Sequence, residues 1–325
     1  MKEGGDGLIG WVEGASEGPL LLCFGGVHGN EPAGVRALEA MVDTVRARSG
    51  VMTGDLVAVV GNRSALAAGQ RFIAYDLNRA WTPEFLGALE SRGDGASADG
   101  AIGATNSRRD GTPAREDLEV LRVQGILAEV AARRRGPVYV LDLHSTSGRG
   151  GTFTSTDDRP GHRAFAREIP LPMVLGLDDH LRGTLLSHLN RLGYTTVLCE
   201  CGQHEEAQAA TRAVAAIWLA IRAAGLLGDS DAPEARRAFE MLRNLTGHLP
   251  GYLETVYRHP VEERDDYATR PGWRNFQRVQ AGDVVGDDRN GEVAAPCSGM
   301  LLMPLYQRLG EDGFFVVRDL AAIRG

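Results

Sequence analysis

Four runs of this chain are apolar almost without interruption: LLLCF inside GPLLLCFGG (18–26), VAVV inside DLVAVVGN (55–62), VYVL inside PVYVLDLHS (137–145) and TVLC inside YTTVLCECG (194–202). A strand with one wet face alternates apolar and polar residues, whereas a run that is apolar throughout is buried on both sides. Segments of helical period lie between them: VRALEAMVDTVRA after the first, residues 116–135 before the third, LRGTLLSHLNRL before the fourth and about 205–225 after it. This alternation specifies an α/β fold, a mostly parallel, mixed sheet with helices on both faces. Asn30 is placed to cap the first helix, with Pro32 in its first turn.

At 325 residues the chain has room for one large α/β domain and a smaller one. The composition changes near Gly247. From there HLPGYLETVYRHPV, FQRVQAGDVVGDD, GEVAAPCSGMLLMPLYQ and GFFVVRD are short strand-like runs divided by Gly, Asp and Asn. The expected organisation is an α/β domain over 1–247, with a helical connector at 232–245, and an all-β domain over 248–325. Residues 91–113, poor in apolar side chains and rich in Gly, Ser, Ala and Asp, read as a mobile insertion within the first domain.

A net charge of −8 and a pI of about 5.6 leave no basic footprint for nucleic acid. No apolar run approaches membrane-spanning length and the first residues contain no signal-peptide core, so a cytoplasmic protein without a membrane partner is expected. Four cysteines do not make a disulfide framework; Cys199 and Cys201, flanking Glu200, read as reduced core thiols. A homo-oligomer is compatible with all of this. Lys2 is the only lysine, so almost every cation is an arginine, a planar fork suited to carboxylates.

Open α/β sheets bind ligands at the carboxyl ends of their strands. Three of the runs end there in residues uncommon inside proteins: His28 and Glu31 after the first, Asp142 and His144 on the third, Glu200 on the fourth. Two histidines and a carboxylate, His28, Glu31 and His144, are the donor set of a catalytic zinc with one position left for water. One Zn2+ per chain is therefore expected. Asp142 lies two residues before His144, so on a strand both face the same way, and Asp142 can fix the tautomer of that histidine. Glu200 is the candidate general base, able to take a proton from the water and pass it to a leaving amine. Arg63, at the end of the second strand, can polarise a carbonyl oxygen. Asn78 and Arg79, inside YDLNRAW, offer forked donors for a substrate carboxylate.

In order and context, His28-x-x-Glu31, Asn62-Arg63, Asp76-Leu77-Asn78-Arg79, Asp142-Leu143-His144-Ser145 and Glu200-Cys201-Gly202 resemble the succinylglutamate desuccinylase/aspartoacylase family of the zinc carboxypeptidase superfamily. The resemblance runs from about residue 18 to the end. It implies a zinc-carboxypeptidase-like fold, with His28, Glu31 and His144 as zinc ligands and Glu200 as general base. It also implies Arg63 as the carbonyl-polarising group and Asn78 with Arg79 as anchors for a carboxylate on a small N-acyl substrate. The C-terminal β domain is then expected to cap the mouth of the site. Aspartoacylases carry a tyrosine in the comparable C-terminal stretch, where this chain has Phe314 and Phe315, and a further substrate arginine would be Arg182 or Arg191.

The activity expected is hydrolysis of the amide of a small N-acyl amino acid or N-acyl amine. Two alternatives are a metallocarboxypeptidase acting on peptide C-termini, which would need an open groove, and a non-catalytic zinc-binding sensor, which would have no use for Glu200. The run AGDVVGD…GEVAAPCSGMLL is similar to a biotinyl or lipoyl carrier hammerhead, but those modify a lysine and none follows Lys2. His162, His180, His188, His204, His248 and His259 read as structural.

Overall fold

All four uninterrupted apolar runs are strands, and they lie side by side at the centre of one sheet. The computed structural model describes residues 7–93 and 113–323; the expected insertion at 91–113 lies almost wholly outside them. In chain order the strands are β1 (Leu8–Glu13), β2 (Ser16–Gly25), β3 (Thr53–Val60), β4 (Val138–Thr146), β5 (Phe153–Ser155), β6 (Met173–Leu175), β7 (Thr195–Gln203), β8 (Tyr252–Pro260), β9 (Ala268–Thr269), β10 (Arg278–Val279), β11 (Val284–Asp288), β12 (Gly291–Ala294), β13 (Gly299–Leu302) and β14 (Asp312–Asp319). The helices are α1 (Pro32–Arg46), α2 (Arg63–Ala68), α3 (Pro83–Gly93), α4 (Arg115–Arg133), α5 (Pro160–Arg167), α6 (Leu177–His180), α7 (Leu185–Arg191), α8 (Gln208–Ala223), α9 (Pro233–Thr246) and α10 (Leu320–Ile323). Among the described residues, no helix is long and apolar enough to cross a membrane.

The large sheet has eleven strands in the order β1-β3-β2-β4-β7-β5-β6-β8-β14-β13-β10. Its centre, β3-β2-β4-β7, is parallel. β1 and β5 join antiparallel, which makes the sheet mixed. The period of two then sorts side chains to opposite faces. On one face Leu21, Cys23, Leu56, Ala58, Leu141, Leu143, Val197 and Cys199 pack with α1, α8 and α9. On the other, Leu20, Leu22, Phe24, Val57, Val59, Val138 and Val140 pack with α3, α4 and α7. Burying each of these large side chains contributes about 1.5–3 kcal/mol. Asp142 and His144 follow Val140 at steps of two, so they belong to the second face, and the β4–β7 register sets His144 beside Glu200.

After α9 the described residues are mostly strand and end in the short α10, and three of these strands make a small second sheet, β12-β11-β9. The end of α9 at Thr246 falls near the expected boundary at 247, yet the sheet does not stop there. β8 pairs parallel with β6, Met173 opposite Tyr252 and Leu175 opposite Glu254, and β14, β13 and β10 extend the same sheet. Phe153, Leu253, Leu302 and Phe315 form a core across this seam.

Candidate metal centre and active site

The segment after β2 turns sharply because two glycines permit it. Gly26 has φ +66°, and a Cβ on Gly29 would lie 2.0 Å from the carbonyl carbon of Ala65. The Glu31 N–H donates to the His28 carbonyl at 3.1 Å, which closes the bend and brings both side chains to one side. Glu31 itself occupies the N-cap position of α1, with Pro32 behind it, and its carboxylate makes no capping bond. The expected cap, Asn30, instead donates from Nδ2 to Gln307 Oε1 at 2.8 Å. A carboxylate engaged by two histidines is unavailable to the helix end.

Glu31 Oε1 lies 2.8 Å from His28 Nδ1, and Glu31 Oε2 lies 3.0 Å from His144 Nδ1. The two imidazoles meet edge to face with centroids 5.2 Å apart. One donor atom from each of the three residues falls within 4.8 Å of the others, and all three residues are buried. The far ring nitrogens are held as well. His28 Nε2 is 3.1 Å from Asp76 Oδ1, and His144 Nε2 is 3.1 Å from Asp142 Oδ2. Both rings thus present Nδ1 to a common point while a carboxylate fixes Nε2, the outer-shell arrangement of metal-binding histidines.

Four carboxylates, Glu31, Asp76, Asp142 and Glu200, are buried here. The cation among them is Arg71, which donates from Nε and Nη2 to Asp76 Oδ2 at 3.2 and 2.9 Å and sets Nη1 3.8 Å from Glu31. Burial opposes charge on Glu31, but His28 and His144 outweigh it and hold the carboxyl well below its ordinary range. Burial likewise opposes charge on His144, but Asp142 and Glu31 raise its pKa well above normal. A donor set of two imidazoles and a carboxylate in so negative a pocket fits a divalent zinc ion.

Glu200 faces this cluster from β7. Burial, reinforced by Glu31 and Asp142 and opposed by His144 and Arg71, pushes its carboxyl up to about 8. Its Oε2 is buried and has no hydrogen-bond partner among the described residues. Cys199 and Cys201, as expected, sit in the core on the opposite face. The cluster and Glu200 open on a cavity of about 670 Å³, counting its solvent-facing part.

Asn78 and Arg79 line the cavity as the sequence suggests. Asn78 Oδ1 accepts the Leu185 N–H at 2.8 Å, and Arg79 Nη2 donates to Asp312 Oδ2 at 2.7 Å. Arg63 is not brought there. Asn62 caps α2, accepting the Ala65 N–H at 3.0 Å, and this turns residue 63 towards α4, where Arg63 Nε is 3.6 Å from Glu119. Arg71 stands in the cavity wall in its place, and the unmet counter-charge of Asp76 was the sequence signal for it. His204, read as structural, also lines the cavity, with Nδ1 2.8 Å from Ser145 Oγ and Nε2 3.3 Å from Gln307 Oε1. Of the C-terminal pair, Phe315 lines the cavity and Phe314 is buried in a separate core. Arg182 and Arg191 are not in its wall.

Comparison with known proteins agrees with this geometry. Residues 17–100 match the family model for the succinylglutamate desuccinylase/aspartoacylase catalytic domain. Succinylglutamate desuccinylase of Burkholderia cenocepacia is 33% identical over 81 residues, 24% of this chain and 23% of that protein. The chain's match therefore spans about a quarter of the length of such curated relatives. The N-acyl-aromatic-L-amino acid amidohydrolase (carboxylate-forming) of Xenopus laevis is 23% identical over 292 residues, covering 84% of this chain and 86% of that one. Among solved structures, succinylglutamate desuccinylase/aspartoacylase from Rhodobacter sphaeroides superposes with a TM-score of 0.63 at 15% identity, over 95% of this chain and 88% of the other. The product-bound ectoine utilization protein EutE (DoeB) from Ruegeria pomeroyi gives 0.61 at 19%, over 95% and 87%. With the His28, Glu31, His144 and Glu200 constellation set in this sheet, the chain shares the fold of solved succinylglutamate desuccinylase/aspartoacylase structures, and its residues 17–100 match the catalytic-domain model of that family.

Proposed function

We propose that the chain is a zinc-dependent amidohydrolase that cleaves the amide of a small N-acyl amino acid or N-acyl amine. The observation that carries this reading is the His28, Glu31 and His144 donor cluster opening on a cavity that Glu200 also faces. The curated relatives whose names describe desuccinylation and N-acyl amino acid hydrolysis support the substrate class.

His28, Glu31 and His144 would hold one zinc ion, with Asp76 and Asp142 orienting the two rings. Zinc, when bound, supplies Lewis-acid polarisation and makes water a usable nucleophile near neutral pH. Glu200 accepts a proton from the attacking water at its unpaired carboxylate oxygen and returns it to the leaving nitrogen. Arg71, whose guanidinium is pinned by Asp76, lends positive charge to the carbonyl oxygen as it becomes an oxyanion. Asn78 and Arg79 line the same cavity and would flank the substrate. A cytoplasmic setting suits the four unpaired thiols.

The test is metal analysis of the purified chain together with release of free amine from a panel of N-acetyl and N-succinyl amino acids and amines. About one zinc per chain with turnover of a panel member is expected. Glu200→Gln should keep the metal and lose turnover by about a thousandfold or more. A chain that takes up no zinc, or a Gln variant as active as the parent, would overturn the reading.

A further inference from the structure

The cation expected to anchor a substrate carboxylate is already engaged. Arg79 donates from Nε to Glu311 Oε2 at 3.2 Å, from Nη2 to Asp312 Oδ2 at 2.7 Å and from Nη1 to the Asn78 carbonyl at 2.9 Å. All three guanidinium nitrogens therefore have an acceptor within the chain. Asp312 also accepts from Arg258 Nε, so two carboxylates face two guanidinium groups, with Arg71 of the cavity wall close enough to feel Asp312.

These carboxylates are not on a loose flap. Asp312 begins β14 and pairs with Pro260 of β8, and the Glu311 carbonyl accepts the Val261 N–H at 2.9 Å. Displacing Asp312 would strand Arg258 as well as expose Arg79. The same cavity wall carries Leu177, Leu181, Met303, Leu305 and Phe315, beside the polar Asn78 and Arg71. Leu305 donates its N–H to the Gly313 carbonyl at 2.9 Å, which ties that wall to the Glu311–Asp312 turn.

We propose that Glu311 and Asp312 are specificity-determining residues that fill the anion subsite of Arg79 from within, so that the cavity takes an N-acyl amine whose portion at this corner is uncharged and apolar. The inference deepens the amidohydrolase reading and rests on it for the reaction, but not for the subsite. A substrate carboxylate at Arg79 must compete with two charge-assisted hydrogen bonds held at fixed geometry, whereas an apolar group meets a surface that needs no counter-charge.

The experiment compares two ligands alike in acyl group, chain and ring, N-acetylphenethylamine and N-acetyl-L-phenylalanine, which differ only in a carboxylate. Binding is titrated calorimetrically to the full zinc-loaded chain carrying Glu200→Gln, so that neither ligand is consumed. The neutral ligand should bind about tenfold more tightly or better, in line with the strength of bonds to charged groups. Adding Glu311→Gln and Asp312→Asn should tighten only the carboxylate ligand, by about tenfold. Glu311→Gln alone, at a side chain 53% exposed, should shift the ratio less and in the same direction, and it serves if the double variant does not fold. Tighter binding of the carboxylate ligand to the parent, no binding of the neutral one, or a ratio that neither variant moves would overturn the proposal. Amine release by the unmodified chain reads the reaction separately: no turnover with the expected binding ratio sinks the hydrolase alone, and turnover with the opposite ratio sinks the subsite alone.

Discussion

Replacing Asp76 with Asn separates the two duties of that carboxylate. Asp76 is 2% exposed at its side chain and accepts from His28 Nε2, from Arg71 twice and from the Asn78 N–H. An asparagine keeps the shape and one acceptor oxygen but removes the charge. Breaking a buried ion pair from one side costs about 3–5 kcal/mol; Glu31 remains as a more distant partner for Arg71, so a loss of about 2–4 kcal/mol is expected. For 325 residues the unfolding entropy is about 0.7 kcal/mol per kelvin, so Tm should fall by about 3–6 °C. Burial works against the charged carboxyl of Asp76, but Arg71 and His28 hold it well below its ordinary pKa. Its stabilising contribution is therefore present above the unfolded carboxylate pKa and disappears as pH falls through the depressed folded value, so parent and variant should converge in acid. Because Asp76 also fixes His28, zinc affinity should drop about 10–100-fold in competition with a chromophoric chelator. Asp142→Asn is the contrasting case. Asp142 holds His144 through Oδ2, but its Oδ1 is buried without a partner among the described residues. It should lose zinc affinity to a similar degree with a smaller loss of stability, since His144 keeps Glu31 as a buried partner. Zinc affinity unchanged in Asp76→Asn, or equal losses of Tm in both variants, would refute the division of labour.

Burial pushes the Glu200 carboxyl up to about 8 in the folded chain, against an ordinary 4.5. A raised carboxyl retains its proton in the folded state and releases it on unfolding. Stability should thus fall as pH rises from about 4.5 to 8, by an amount on the order of 5 kcal/mol, and level off above. Urea titrations in the presence of a chelator should show that slope removed in Glu200→Gln; parallel curves for parent and variant would contradict the burial argument. Arg63→Gln should leave kcat/KM within about threefold, whereas Arg71→Gln should lower it by about a hundredfold or more; the reverse order would restore Arg63 to the site.

The central strands were legible because they are buried on both faces, which leaves few other readings for LLLCF or VYVL. The three-residue strands β5 and β6 were not, since FTS and MVL are too short to show a period, and the pairing of β6 with β8 is a tertiary choice. Within the site, His28 and Glu31 could be read from one bend, and Asp142, His144 and Glu200 from strand periodicity. Contacts between distant segments could not: Asp76 meets His28 across 48 positions, and Arg79 meets Asp312 across 233. The Arg63 expectation failed on a local event, the Asn62 cap, which sets the direction of the chain just where the strand ends. His204 was passed over because its partner Ser145 lies on another strand.

The pairing of β8 with β6 has a consequence for how the chain can be made and cut. Without residues beyond 247, β6 would present the backbone of Met173, Val174 and Leu175 as an unprotected edge, the kind of template on which chains add to one another. The C-terminal strands therefore act as the sheet's edge protection as well as a wall of the cavity. During synthesis that protection, and with it the Glu311–Asp312 turn, follows the central strands. A truncated chain should aggregate rather than fold into a smaller enzyme, and a chaperone requirement should end only once β14 has been released.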